Sequence, residues 1–271
     1  MKNLSIVIPS RNASNLSACV TAIWKHEPVV VQDVRTIVID DGLDFQRLLL
    51  EGQGNRDKAA MILPGVRPFV FSRNVNLGIA AAGRDDVIIL NDDAILETPR
   101  GFSRLQDQWC RHREYGLISP VIPGCGHASQ RPLLDFTFHD REDLHAAVLA
   151  GHMPHPDGPD LRDEPRMLVF ACVFLPRATI DRVGFLDEQF GVNADGVLDP
   201  DGPVGYGCED VDYSWRVRRA GLKLGIYEPV RVSHGELPHT FRINMDAERY
   251  ADDSIVHERL FESKWGRKPT P

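Results

Sequence analysis

The 271 residues are 42% hydrophobic and 26% charged with no low-complexity tract, a balance that excludes a disordered or fibrous chain and leaves room for a large core. A net charge of −8 argues against nucleic acid as the main partner, because phosphate backbones are held by clustered Lys and Arg. No apolar run approaches the roughly 18 residues that cross a bilayer, so no transmembrane segment is expected. Pro9, Ser10, Arg11 and Asn12 cut Leu4–Ile8 too short for a signal-peptide core. Cys19, Cys110, Cys125, Cys172 and Cys208 are scattered and odd in number, which points to a reducing compartment. A cytoplasmic protein, at most peripheral at a membrane, is the expectation.

In chain order, Leu4–Ile8 and Thr36–Ile39 are short apolar runs ending in turn signals, as in strands buried on both faces of a parallel sheet. Leu16–Lys25 between them has helical character, with caps offered by Asn12 to Asn15. The Ala-rich Gly78–Arg84 reads as helix and Val87–Leu90 as a third strand, ending at Asn91-Asp92-Asp93. Thr98 is a candidate N-cap with Pro99 at the first helical position, and this helix ends at Gly116. Leu117–Ile122 and Met167–Leu175 follow as strands. The intervening stretch, about 124–165, is rich in Pro, Gly, His and Asp, with a short helix expected near Asp143–Leu149. Its five histidines lack the spacing of a closed zinc site, and an acceptor-side flap fits it better. The acidic stretch Asn193–Val204 reads as a solvated loop. A helix from about Asp210 to Ala220 stops at Gly221, strands Lys223–Tyr227 and Val230–Ser233 follow, and a last helix covers Ala247–Ser263. Strand–helix alternation implies an open, mostly parallel Rossmann-like α/β sheet with helices on both faces. With no repeat and no linker composition, one domain over 1–271 is expected.

Open parallel sheets bind ligands beyond the carboxyl ends of their strands. Three strands end there in Pro9-Ser10-Arg11-Asn12, Asp40-Asp41 and Asn91-Asp92-Asp93. Asp and Asn after a strand are commonly turn formers, but three such clusters on one rim favour a site. A hard divalent cation, Mn²⁺ or Mg²⁺, takes oxygen ligands and leaves positions open for diphosphate. Asn91 and Asp93 lie two apart, so in an extended chain both point into one site and Asp92 faces elsewhere. Glu209 and Asp210 stand at a helix start, where the dipole favours the ionised form and a carboxylate could accept a proton. An acidic helix start without function is the plain alternative. His234 after a strand is either a packed histidine or a cation ligand.

Seven segments in order, SIVIPSRN (Ser5–Asn12), IVIDDG (Ile37–Gly42), RNVNLGIAAAGR (Arg73–Arg84), IILNDDA (Ile88–Ala94), VGFLDEQF (Val183–Phe190), YGCEDVDYSWRVRRAG (Tyr206–Gly221) and His234, give the chain a family likeness. It resembles the family-two glycosyltransferases of the GT-A fold over nearly its whole length. The resemblance implies transfer of a sugar from a nucleotide-diphosphate sugar to a glycan, lipid-linked or small-molecule acceptor, with inversion. It also implies a donor-binding half at about 1–95 and an acceptor and catalytic half at about 96–271. Asn91-Asp92-Asp93 stands in the place of the metal-binding DxD motif, with Asn at its first position; Asp93, Asn91 and His234 are the implied metal ligands. Glu209-Asp210 matches the pair that holds the catalytic base. Pro9, Arg11, Asp40, Asp41, Asn74, Gly78, Arg84, Asn91 and Asp92 are the implied nucleotide-sugar contacts. Two rivals stand beside this reading. A sugar nucleotidyltransferase would need a Gly-rich loop after the first strand, which Pro9-Ser10-Arg11-Asn12-Ala13 lacks, and a catalytically idle binding subunit of the same fold is suggested by Asn91.

Overall fold

The computed structural model describes residues 3–27, 34–42, 60–66, 69–123, 130, 160–164, 166–190, 207–235 and 247–269. The expected helix at 143–149, the five histidines of 127–155, Cys125, Tyr206 and the acidic stretch 193–204 lie outside these residues.

β1 (Leu4–Ser10) is buried along its whole length and pairs in parallel with β2 (Val34–Asp40) and β4 (Asp86–Leu90); β2 pairs in parallel with β3 (Met61–Pro64). Beyond β4 the sheet is mixed. β8 (Cys172–Leu175) is antiparallel to β4 and to β6 (Tyr115–Val121), and β6 runs parallel to β9 (Lys223–His234). The short β5 (Ala94–Leu96) and β7 (Leu161–Asp163) pair antiparallel with β9. The order β3-β2-β1-β4-β8-β6-β9-β5, with β7 on β9, makes one nine-stranded, largely parallel sheet.

Helices cover both faces. On one side Leu16, Cys19, Val20 and Ile23 of α1 (Ala13–His26) and Phe102, Leu105 and Trp109 of α3 (Gly101–Arg111) pack on Ile6, Ile8 and Ile88. On the other, Val75 and Ile79 of α2 (Phe71–Ala82), Ile180 of α4 (Arg177–Val183) and Tyr213 and Val217 of α5 (Glu209–Arg219) pack on Val7, Ile37 and Ile89. α6 (Ala247–Trp265) adds Phe261 to a third cluster with Phe190, Val211 and Trp215. Among the described residues no helix is long and apolar enough to cross a membrane.

Several expectations are corrected. Asn12 does cap α1, accepting from the amides of Ser14 and Asn15 at 3.1 and 3.2 Å. α3, however, starts at Gly101 and not after Thr98, whose hydroxyl instead accepts the amide of Arg231. Its cap comes from 75 residues away: buried Glu27 accepts the amides of Phe102 (2.7 Å) and Ser103 (3.3 Å). The two segments of 223–233 form a single strand. Residues 167–171 leave the sheet, because they bond to α5: Leu168 donates its amide to Ser214 Oγ at 3.1 Å.

Candidate active site at the carboxyl rim of the sheet

The chain does not stay extended after β4. The Ala94 amide donates to the Asn91 carbonyl at 3.2 Å, closing a turn that sends β5 back along β9. The turn separates the two aspartates. Asp92 turns toward β1 and accepts the Ser10 hydroxyl at 2.6 Å, both side chains being buried. Asp93 turns toward β9, where its Oδ1 lies 3.3 Å from His234 Nε2. The register explains this pairing, for Ala94 sits directly opposite His234. The expectation that Asp92 faces away from the site is thereby revised: in a turn it reaches the end of β1.

Two ligands at about 2.1 Å from a cation and at right angles to each other stand about 3 Å apart. The Asp93–His234 spacing has that geometry, and the pair is an oxygen and an imidazole nitrogen, a donor set that suits Mn²⁺ better than Ca²⁺. Among the described residues no third His, Cys, Asp or Glu joins them, which leaves further positions to a ligand or to the half-buried Asn91.

Asp41, at the end of β2, is buried and lies 3.9 Å from the Arg11 guanidinium, while its amide donates to the Ser10 carbonyl. Asp40 instead accepts the Gly42 amide at 2.7 Å and so shapes the turn. Its carbonyl accepts from Gly65, and the next residue, Val66, donates to Asn74 Oδ1 at 2.8 Å. Asn74 Nδ2 is buried and has no hydrogen-bond partner among the described residues. Pro9, in β1 between Ile8 and Ser10, is buried against Ile39.

Two implied nucleotide contacts fall elsewhere. Arg84 precedes β4, at the amino end of the sheet; five strand residues, about 16 Å, separate it from the rim. Gly78 lies against the sheet face, where an added Cβ would come 2.2 Å from Val7 Cγ1. This close helix–strand approach requires a glycine and leaves no opening to a ligand.

Glu209 and Asp210 begin α5 after a tight turn in which Gly207 and Cys208 both have positive φ, 138° and 61°. Glu209 is buried and accepts the Gly207 amide at 2.6 Å. Asp210, half-buried, accepts the Val211 amide at 2.7 Å and a second bond from the Phe170 amide. Burial pushes the Glu209 carboxyl above the usual range, and the Asp210 charge adds to the rise. Burial raises Asp210 as well, against the amides that lower it. The helix-start expectation of readily ionised groups is therefore reversed: desolvation outweighs the dipole.

The two centres meet at neighbouring residues of one segment. Phe170 donates its amide to Asp210, and the adjoining Ala171 accepts the Asn91 amide at 2.9 Å. Sequence reasoning misses these residues, since an apolar side chain gives no sign that its backbone will act. It also misses Ser10, whose one signal is a hydroxyl closing an apolar run at the rim.

A largely parallel sheet with this acidic rim defines the GT-A fold, and comparison with solved structures agrees. The chain is similar to GalNAc-T7 in complex with UDP, GalNAc and Mn²⁺, with a TM-score of 0.61 and 16% identity over 86% of this chain and 44% of that one. It is similar also to the mannosyltransferase PcManGT from Pyrobaculum calidifontis in complex with GDP-Man and Mn²⁺, with a TM-score of 0.62 and 13% identity over 98% of this chain and 66% of that one. The chain thus spans less than half of the first and about two thirds of the second. No family model and no curated protein matches it at the level of sequence.

Proposed function

We propose that the chain is an inverting glycosyltransferase that moves a hexosyl or related sugar from a nucleotide-diphosphate sugar to an acceptor hydroxyl. The observation that carries this reading is the Phe170–Ala171 pair, whose neighbouring backbone groups reach from a carboxylate of raised basicity to a turn bearing a cation-spaced Asp93–His234 pair. Similarity to sugar transferases holding UDP or GDP-Man with Mn²⁺ supports it.

Asp93 and His234 would hold the divalent cation, with Asn91 beside them. When bound, Mn²⁺ or Mg²⁺ supplies charge neutralisation for the departing diphosphate. Arg11 and the acids after β2 face the nucleoside, with Pro9, Asn74 and Asp92 along the same rim. Asp210 is the general base: it is the more accessible of the acidic pair and is held by two amides. It accepts the acceptor hydroxyl proton as that oxygen bonds to the anomeric carbon and the bond to the diphosphate breaks, so the configuration inverts. Glu209 supports the base by fixing the Gly207 turn. The donor half covers about 1–95 and the acceptor half about 96–271, and the enzyme works in the cytoplasm.

A thermal-shift screen of nucleoside diphosphates with and without Mn²⁺ tests the reading. A native-state ligand at about 100 times its Kd stabilises by roughly 2.7 kcal/mol. Stabilisation by at least one nucleotide, only when metal is present, is expected. Flat melting curves across the whole panel would overturn it.

A further inference from the structure

At the far end of α5 from Glu209, about 16 Å along the helix axis, the carboxyl ends of α4, α5 and α6 converge. They wall a groove of about 380 Å³ lined by Arg182 and Val183, by Arg216, Arg219 and Ala220, and by Lys264 and Trp265. Two of its cations are engaged inside the protein. Arg216 bonds Asp212 at 2.9 Å, and Lys264 bonds Asp187 at 2.6 Å and Asp212 at 2.8 Å. Arg182 and Arg219 are exposed, and no described carboxylate pairs with either. Arg219 lies 5.9 Å from the Trp265 ring, and just past α6 Arg267 stacks 4.1 Å over Trp215.

Basic residues in a last helical turn complement the helix dipole, and that accounts for each arginine singly. It does not account for three helix ends meeting at one groove on a chain of net charge −8. Nor does it account for Phe185. This ring is 41% exposed, directly after α4, and its carbonyl accepts both terminal nitrogens of Arg216 at 2.9 Å, which sets it at the groove margin. An exposed aromatic beside unpaired arginines is a combination suited to a surface that is anionic outside and apolar beneath.

We propose that this groove docks on an anionic lipid surface, with headgroup phosphates meeting Arg182 and Arg219 while Phe185 enters the acyl boundary. Near such a surface each Lys or Arg strengthens partition about fivefold. The site is separate from the rim, which stays open to substrate.

The test is sedimentation of the full chain with equimolar phosphatidylglycerol–phosphatidylcholine vesicles against phosphatidylcholine alone. Binding to the anionic vesicles only is expected, and loss of it at about 1 M salt, where the Debye length falls to about 3 Å. Arg182→Glu with Arg219→Glu should weaken binding at least tenfold, and Phe185→Ser severalfold. Melting temperature and metal-dependent nucleotide binding should stay unchanged in both variants, so failure of the surface is distinct from failure of the transferase reading. Arg182→Gln with Arg219→Gln serves if the reversed charges prevent folding. Equal binding to both vesicle types, no binding by the unmodified chain, or undiminished binding by the charge variants would each overturn the proposal. Complete displacement by millimolar inorganic phosphate would also overturn it, marking a small-anion site instead.

Discussion

Asp93 and His234 lie close enough to share a cation yet come from strands separated by most of the chain. Asp93→Ala and His234→Ala should each lower Mn²⁺-dependent affinity for a nucleoside diphosphate tenfold or more, a loss of at least about 1.4 kcal/mol, while the protein stays folded. Calorimetry on folded variants checks this. Asp210→Asn keeps shape while removing the proton acceptor. Turnover should fall about 10²–10⁴-fold with donor affinity retained. Glu209→Gln should be milder in turnover but visible in stability. The folded-state pKa of Glu209 is raised above its ordinary 4.5, so its neutral form is the one the fold favours. Stability is then highest below that ordinary value and declines as pH rises through the raised one. Urea unfolding between pH 5 and 8 should show this decline, and Glu209→Gln should flatten it. A pH dependence unchanged by the substitution would place the burial effect elsewhere. That Asp93 and His234 stand at strand ends was legible, because charged or ligating side chains follow apolar runs; that the two meet was not, since it depends on the register of β5 with β9. Arg84 was not, since a linear motif does not say at which end of a sheet its last residue falls.

Between elements, Gly78 lets α2 approach Val7 of β1. Gly78→Ala would gain helix propensity, yet its Cβ would sit 2.2 Å from a γ-carbon in the sheet, and two packed elements would have to part. A net loss of about 1–3 kcal/mol is expected in chemical denaturation. Adding Val7→Ala should recover part of it, because it removes the two γ-carbons nearest the new Cβ. The buried parallel strands and α1 could be read from apolar runs and Asn12. β3, β5 and β7, three or four residues each, could not: they are short edge pieces formed by pairing to a neighbour, not by their own pattern. The start of α3 was hidden for a related reason. Glu27 stands in sequence at the end of another helix, and only the tertiary fold brings its carboxylate to those amides.

Across the molecule, α6 is fastened to α5 through Asp212, fully buried and bonded to Arg216, Lys264 and the Trp265 indole at 2.8–2.9 Å. Asp212→Ala should cost about 2–3 kcal/mol, since it strips charged and indole donors of a shared acceptor. Hydrogen exchange should show α6 loosening before the parallel strands do; uniform protection across the chain would refute a separate docking role. That same α6 presses His257 against Gly207, so the turn ahead of Glu209 is backed by a helix from the far end of the chain. The adjacency of Phe170 and Ala171 has a consequence for how such a protein can diverge. It holds the Asp210 turn and the Asn91–Asp93 turn at a set spacing, because inserting or deleting one residue there would misalign both at once. Under the proposed function, changes in acceptor preference must then arise in the segments that border the rim, while the spacing between the two turns is inherited unaltered.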